Sequence, residues 1–402
     1  MLKFRSILFW LHLSAGVTAG VVILTMSLTG ALLMYERQLI EWSDRQYRSV
    51  PAEDATGRLA VERLLAEASE QRAQAPTAIT LRSEPDKPAT VAFGSTTVYQ
   101  DVYSGRLLGE PTTGMRSAMS TLRSWHRYMA LDGDRRSLGK AISGWSNLLF
   151  LFIVLSGMYL WIPRVVSWRT VRAVALFRGG LPGKARDFNW HNVIGIWSAV
   201  PLAIVVATAT PISFPWATAL VYRIVGEEPP APAGGPRGNA GPGERSARGQ
   251  GRNAGEERSQ RIHTAGLDRL WARAEEQVPD WHSINLRLSS SPDQPAVFAI
   301  DSGNGGQPQL RSTLTLDATT GDVVRWEPFE SQTTGRRLRS WSRFTHTGEY
   351  YGLVGQTIAG LVSAGGVVLV YTGLALALRR FVAWMRSGRT AARRGQQESE
   401  AA

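Results

Sequence analysis

Residues 343–380 read RFTHTGEYYGLVGQTIAGLVSAGGVVLVYTGLALALRR, and the rest of the chain is read outward from them. His346 stands four residues ahead of Tyr350, no side chain from Tyr350 to Leu378 is charged, and Arg379 and Arg380 close the run. Those 29 residues, at about 1.5 Å of rise each, more than cover a hydrocarbon core roughly 30 Å thick. The stretch is expected to be a membrane helix with a histidine at its mouth.

The same stretch exposes an internal repeat. Laid over residues 138–164 at a constant offset of 216, it matches Gly139 to Gly355, Ile142 to Ile358, Gly144 to Gly360, Val154 to Val370, Gly157 to Gly373, Leu160 to Leu376 and Arg164 to Arg380. Apolar helices resemble one another by composition, so the matched glycines and arginine carry the comparison. A histidine precedes both copies, His126 in WHRYM and His346 in FTHTG.

The chain has 402 residues, no cysteine and a net charge of +12. Without cysteine, disulfides, thiolate catalysis, cysteine-ligated iron–sulfur clusters and covalent c-type haem are excluded. Much of the positive excess falls beside the ends of apolar segments, where membrane orientation accounts for it, so nucleic acid is not expected as a partner.

Taken in order, residues 6–35 carry no Asp, Glu, Lys or Arg and follow Lys3 and Arg5. The run is too long for a secretory signal and reads as a retained first span. Residues 36–115 are polar, with a short amphipathic helix over Arg58–Glu70, strands over Ala78–Arg82, Thr90–Phe93 and Thr97–Val102, and a turn at Ser104-Gly105. Residues 116–140 suit a helix at the membrane interface, and the second span is 141–163. The loop 164–187 holds six Lys/Arg and the single acid Asp187, which makes it cytoplasmic by the positive-inside rule.

The third span, 188–222, repeats the first: His191 and Gly195 are spaced like His12 and Gly16, and Thr208, like Thr29, lies 17 residues past its histidine. Pro201, Pro211 and Pro215 are expected to kink or end it. Residues 226–262, rich in Gly, Pro, Arg and Ala, read as a disordered linker. Residues 264–335 echo the first polar unit: a helix over Leu267–Glu276, strands near Ile284–Leu288, Ala296–Ile300 and Leu310–Leu316, and DATTGDVVRWEPF answering DVYSGRLLGE. A second interfacial segment, 336–349, leads into the fourth span, 350–378, and a basic tail, 379–402. Both termini are then cytoplasmic and both polar units face the other side.

Of six histidines, His263 at the linker's end and His282 at a strand start read as solvated or locally hydrogen-bonded. The other four lie at or near span ends, His12 and His191 on the cytoplasmic half and His126 and His346 at the opposite face. Each pair gives two imidazoles and no local carboxylate. Taken singly, a membrane histidine is a polar group satisfied by a neighbouring helix. Four in repeat-related positions favour a ligand, and two imidazoles with an apolar slot suit a b-type haem better than zinc or copper. Arg123, Arg127, Arg339 and Arg343 flank the outer histidines; they read equally as partners of haem propionates, as partners of an anionic substrate, or as ordinary interfacial arginines.

At this point the chain resembles the PepSY-associated transmembrane family over essentially its whole length. The resemblance rests on histidine-led spans ending in Thr29-Gly30, Ser156-Gly157 and Thr372-Gly373, and on polar units ending in DVYSGRLLGE and DATTGDVVRW. The third span departs from it, with Ala209 and Thr210-Pro211 in place of the glycine. Relatives include inner-membrane ferric-siderophore reductases, such as those for ferrioxamine and pyoverdine. The resemblance implies an α-helical membrane protein with four transmembrane helices in two repeats plus two small α+β PepSY-like periplasmic domains. It implies a reductase carrying electrons through two haems b, on His12/His191 and His126/His346, to a ferric siderophore in the periplasm. The expected partners are that siderophore, membrane lipid, an unidentified cytoplasmic or membrane electron donor, and other iron-uptake membrane proteins. No GxGxxG fingerprint is present, so flavin or NAD would sit on a partner. The alternative is a non-enzymatic PepSY anchor or regulator that binds a peptide or protein, and that role needs none of the histidines.

Overall fold

The computed structural model describes residues 2–51, 57–163, 165–230, 264–289, 291 and 294–400; the expected linker 226–262 lies outside the described residues from 231 onward, as does His263. The chain divides into two compact units. One gathers residues 1–36, 117–221 and 342–402, and the other gathers 37–116 and 222–341.

Among the described residues, four helices in the first unit are long and apolar enough to cross a membrane, over Lys3–Leu33, Gly133–Trp161, Gly183–Ser213 and Glu349–Ser387. They belong to α1 (Leu2–Leu33), α5 (Arg136–Trp161), α7 (Gly183–Ser213) and α11 (Gly352–Glu400). In α1 the residues turned inward include Ala15, Ala19, Ile23, Ser27 and Gly30, every three or four positions, while Val21, Leu28 and Leu32 face out. Small side chains inside and large apolar ones outside are what lipid-solvated helices need, because close packing, not water exclusion, holds them together. Each span packs against two others: α1 and α7 both touch α5 and α11. The shared core is Ala19, Ile23, Phe150, Val154, Leu202, Val206 and Val362.

The matched glycines have matched neighbours. A Cβ on Gly139 would collide with the Tyr128 carbonyl, and one on Gly355 with the Gly348 carbonyl, so both let the turn before the span fold back on its helix. Gly144 takes Phe214 against it and Gly360 takes Met34, residues at the far ends of α7 and α1. Pro201 and Pro211 lie inside α7, and the expected span to 222 breaks at Phe214; Pro215 starts α8 (Pro215–Ile224), since proline at a first helical position loses no hydrogen bond.

Among the described residues, the second unit holds α2 (Glu36–Ser43), α3 (Val61–Arg72), α9 (Leu267–Gln277) and eight strands. The strands are β1 (Ala78–Arg82), β2 (Ala89–Phe93), β3 (Thr96–Gln100), β4 (Leu107–Gly109), β5 (Ser283–Arg287), β6 (Ala296–Asp301), β7 (Arg311–Leu316) and β8 (Val323–Pro328). They form one antiparallel sheet in the order β4-β3-β2-β1-β5-β6-β7-β8. The two expected small units each contribute four strands to this one sheet. Strands β1 and β5 pair from Ala78↔Arg287 to Arg82↔Ser283, so each four-stranded half covers the other's exposed edge.

Helices α3 and α9 bury Leu64, Leu65, Leu270 and Trp271 against Ile79, Val91, Ile284, Phe298 and Leu314. The Asp268 carboxylate accepts from the Glu62 N–H at 3.0 Å and the Glu62 carboxylate from the Asp268 N–H at 3.3 Å. Each helix start is thus capped by the other's acid.

The two answering motifs form one turn. Asp101 accepts from the N–H groups of Tyr103 and Ser104, and Asp317 from those of Thr319 and Thr320. Gly105 (φ 74°) and Gly321 (φ 79°) then take the left-handed step that a side chain resists. In the first half Asp44 is buried and accepts from Arg116 at 2.6 Å, from the Tyr99 hydroxyl at 2.8 Å and from the Thr112 N–H and hydroxyl. Burial alone would raise its pKa; those donors outweigh burial and hold it at about 2. Burial and the Asp44 carboxylate together push the Tyr99 phenol up to about 12.

Candidate haem-binding histidine pairs

His12 and His191 lie on the spans α1 and α7. His126 ends the amphipathic helix α4 (Thr113–Tyr128) and His346 ends its counterpart α10 (Thr334–His346). All four rings are half-buried.

Each ring is fixed at Nδ1 by a neighbouring span. His12 Nδ1 lies 2.8 Å from the Ser156 hydroxyl, and His191 Nδ1 lies 3.0 Å from the Thr372 hydroxyl. Both hydroxyls already spend their proton on their own helix, Ser156 on the Ile153 carbonyl at 3.2 Å and Thr372 on the Val368 carbonyl at 2.7 Å. Their lone pairs therefore accept from Nδ1–H. His126 Nδ1 lies 3.0 Å from the Met26 carbonyl and 3.1 Å from the Thr29 hydroxyl, which donates to Thr25. His346 Nδ1 lies 2.9 Å from the Val205 carbonyl. A carbonyl can only accept, so Nδ1 carries the proton at all four sites and Nε2 keeps its lone pair for a metal.

The glycine of the Thr-Gly and Ser-Gly steps has a steric role. A Cβ on Gly30 would stand 3.2 Å from His126 Cε1, one on Gly157 3.3 Å from His12 Cε1, and one on Gly373 3.3 Å from His191 Cε1. The hydroxyl holds the ring and the glycine leaves room for its edge. Ala209 stands at the fourth such place, behind a Thr208 whose hydroxyl turns back to the Ile204 carbonyl at 2.7 Å. The Ser/Thr-Gly step was visible in the sequence; its role was not, because the ring each step holds lies on another helix.

The rings of His126 and His346 have centroids 6.1 Å apart and planes at 42°. An imidazole nitrogen stands about 2 Å from a first-row metal, so two rings on opposite sides of one ion have centres roughly 6 Å apart. His12 and His191 are within electrostatic reach of each other. Among the described residues no three His, Cys, Asp or Glu side chains gather as a ligand set. Two imidazoles, apolar walls and no third ligand fit haem b.

The arginines are placed less uniformly. Arg123 pairs with the Glu36 carboxylate. Arg127 lies over the Tyr128 ring at 5.3 Å, with Arg136 over the same ring at 4.2 Å, and Arg343 lies over Phe344 at 5.5 Å. His282 stands 3.4 Å from Glu84, a local pairing outside the bundle.

No curated protein matches the chain. The family described as the PepSY-associated TM region matches it over residues 9–380, nearly its full length. With four apolar helices long enough to span a bilayer, this is a membrane protein, and it belongs to the PepSY-associated TM family.

Proposed function

We propose that this chain is a di-haem b reductase of the inner membrane that passes electrons from the cytoplasmic side to a ferric siderophore in the periplasm and releases Fe(II). The observation that carries the reading is the fourfold Nδ1 anchor, which leaves four Nε2 lone pairs in two pairs. His12 with His191 and His126 with His346 would each hold a haem b, which would supply a one-electron carrier when bound.

The chain's own work is positioning. Ser156, Thr372 and the carbonyls of Met26 and Val205 fix each imidazole's rotation and tautomer, and Gly157, Gly373 and Gly30 admit the rings. The six Lys/Arg of 164–187 and the arginines after Leu378 put both termini in the cytoplasm, and the sheet-bearing unit in the periplasm. We read the bundle as two helix-pair repeats and the sheet as two PepSY-like halves. The donor, a quinol or a reduced protein on the cytoplasmic side, gives up one electron for each Fe(III) reduced to Fe(II). Reduction lowers the ion's charge, so hard oxygen chelators hold it less well and release it.

The test is to mix the dithionite-reduced, desalted protein anaerobically with a ferric hydroxamate and a ferrous-specific chromogenic chelator. Reoxidation of the protein matched by Fe(II) appearing one for one is the expected result. Reduced protein that stays reduced beside the chelate would remove the reductase reading and leave the PepSY anchor.

A further inference from the structure

We propose that the basic loop between the second and third spans forms a binding site for the phosphate headgroup of an anionic phospholipid. The loop's helix α6 (Trp168–Ala175) is held in place. Ser167 and Thr170 close a capping box at its start, and Trp197 of α7 donates its indole N–H to the Ala175 carbonyl at 2.9 Å. Asn189, buried in α7, donates to the Leu176 carbonyl at 3.1 Å and accepts from the Arg178 N–H at 3.1 Å. The segment is therefore a built surface tied to a membrane span.

What it presents outward is both basic and greasy. Trp168, Arg169, Arg172, Leu176, Phe177 and Arg178 line a cleft of about 450 Å³. Trp168 is 78% exposed and Phe177 61%, with Val165 and Val166 exposed beside them. Among the described residues no carboxylate pairs with Arg169, Arg172 or Arg178. The loop's one acid, Asp187, is buried and spent on Arg186 and, at 2.6 Å, Arg379.

A water-facing protein partner would account for the arginines, but it leaves exposed Val165, Val166, Trp168 and Phe177 beside the end of a span to be explained. A bilayer surface accounts for both: the apolar side chains enter the acyl boundary and the guanidiniums meet phosphate. The inference rests on the chain spanning a membrane and not on the proposed reductase activity.

The test uses the full chain in neutral detergent, with phosphatidylglycerol or phosphatidylcholine added back and bound lipid counted by native mass spectrometry. Wild type is expected to retain phosphatidylglycerol preferentially. The triple variant Arg169→Gln, Arg172→Gln, Arg178→Gln should bind it roughly a hundredfold more weakly, about fivefold per cation. Phosphatidylcholine retention and the size-exclusion profile should not change, because the three side chains are exposed. Brominated phosphatidylglycerol should quench the emission that is lost in Trp168→Phe. Equal retention of the two lipids, or a triple variant as avid as wild type, overturns the proposal and leaves the face to an acidic protein.

Discussion

The inner and outer histidine pairs solve one problem with different materials. His12 and His191 are held by hydroxyls, Ser156 and Thr372, with a glycine under each ring. His126 and His346 are held by main-chain carbonyls, Met26 and Val205, and only one of them has a glycine beneath it. The inner anchors are therefore side chains that a substitution can remove, and the outer anchors are backbone that it cannot. The outer pair keeps its tautomer even where the Ser/Thr-Gly step has become Thr208-Ala209, so the departure of the third span leaves His346 a usable ligand.

The largest expected effect comes from removing the histidines themselves. His126→Ala or His346→Ala should lower haem from about two per chain to about one, and the double variant should lose no more. His12→Ala and His191→Ala should behave as the other such pair, which quantitative pyridine-haemochrome assay will show. Next in size, Gly157→Val and Gly373→Val push carbon into rings already at contact distance, a strain of about 1–3 kcal/mol. Their inner haem should bind about tenfold or more weakly, while Ala209→Gly leaves the outer haem unchanged.

A change confined to the sheet-bearing unit serves as a contrast. Asp44 is held at about 2, below the ordinary carboxyl value, so it favours the folded state above about pH 4 and loses that contribution as pH falls through about 2. Asp44→Asn should cost this unit about 2 kcal/mol at neutral pH, read by calorimetry, with both haem spectra unaltered. The smallest effect separates hydroxyl from carbonyl. Ser156→Ala and Thr372→Val should destabilise the inner site by about 1–2 kcal/mol and move its midpoint potential. Thr29→Val should do less, because the Met26 carbonyl still accepts from His126.

What could be read from the sequence divides along the same physical line. Spans and histidines were legible because a bilayer imposes a length on uncharged runs and four of six histidines fell in register with them. The strand Ala78–Arg82 was legible from alternation, and it appears with those bounds as β1. Pairing of β1 with β5 was not, because about two hundred residues separate partners whose fit has no local signature. Helix α2 was missed because ERQLIEWS is only two turns long and lies in a stretch that reads as polar. The roles of Ser156, Thr372 and Gly157 depended on which helix each faces, and spacing along one helix does not contain that.

On the proposed reading, four anchored histidines hold two haems b. Its most direct test is a dithionite-reduced minus oxidised visible spectrum of the detergent-purified chain from haem-sufficient cells, with haem counted per polypeptide. A sharp b-type α-band at about two haems per chain is the predicted result. A colourless protein would contradict it.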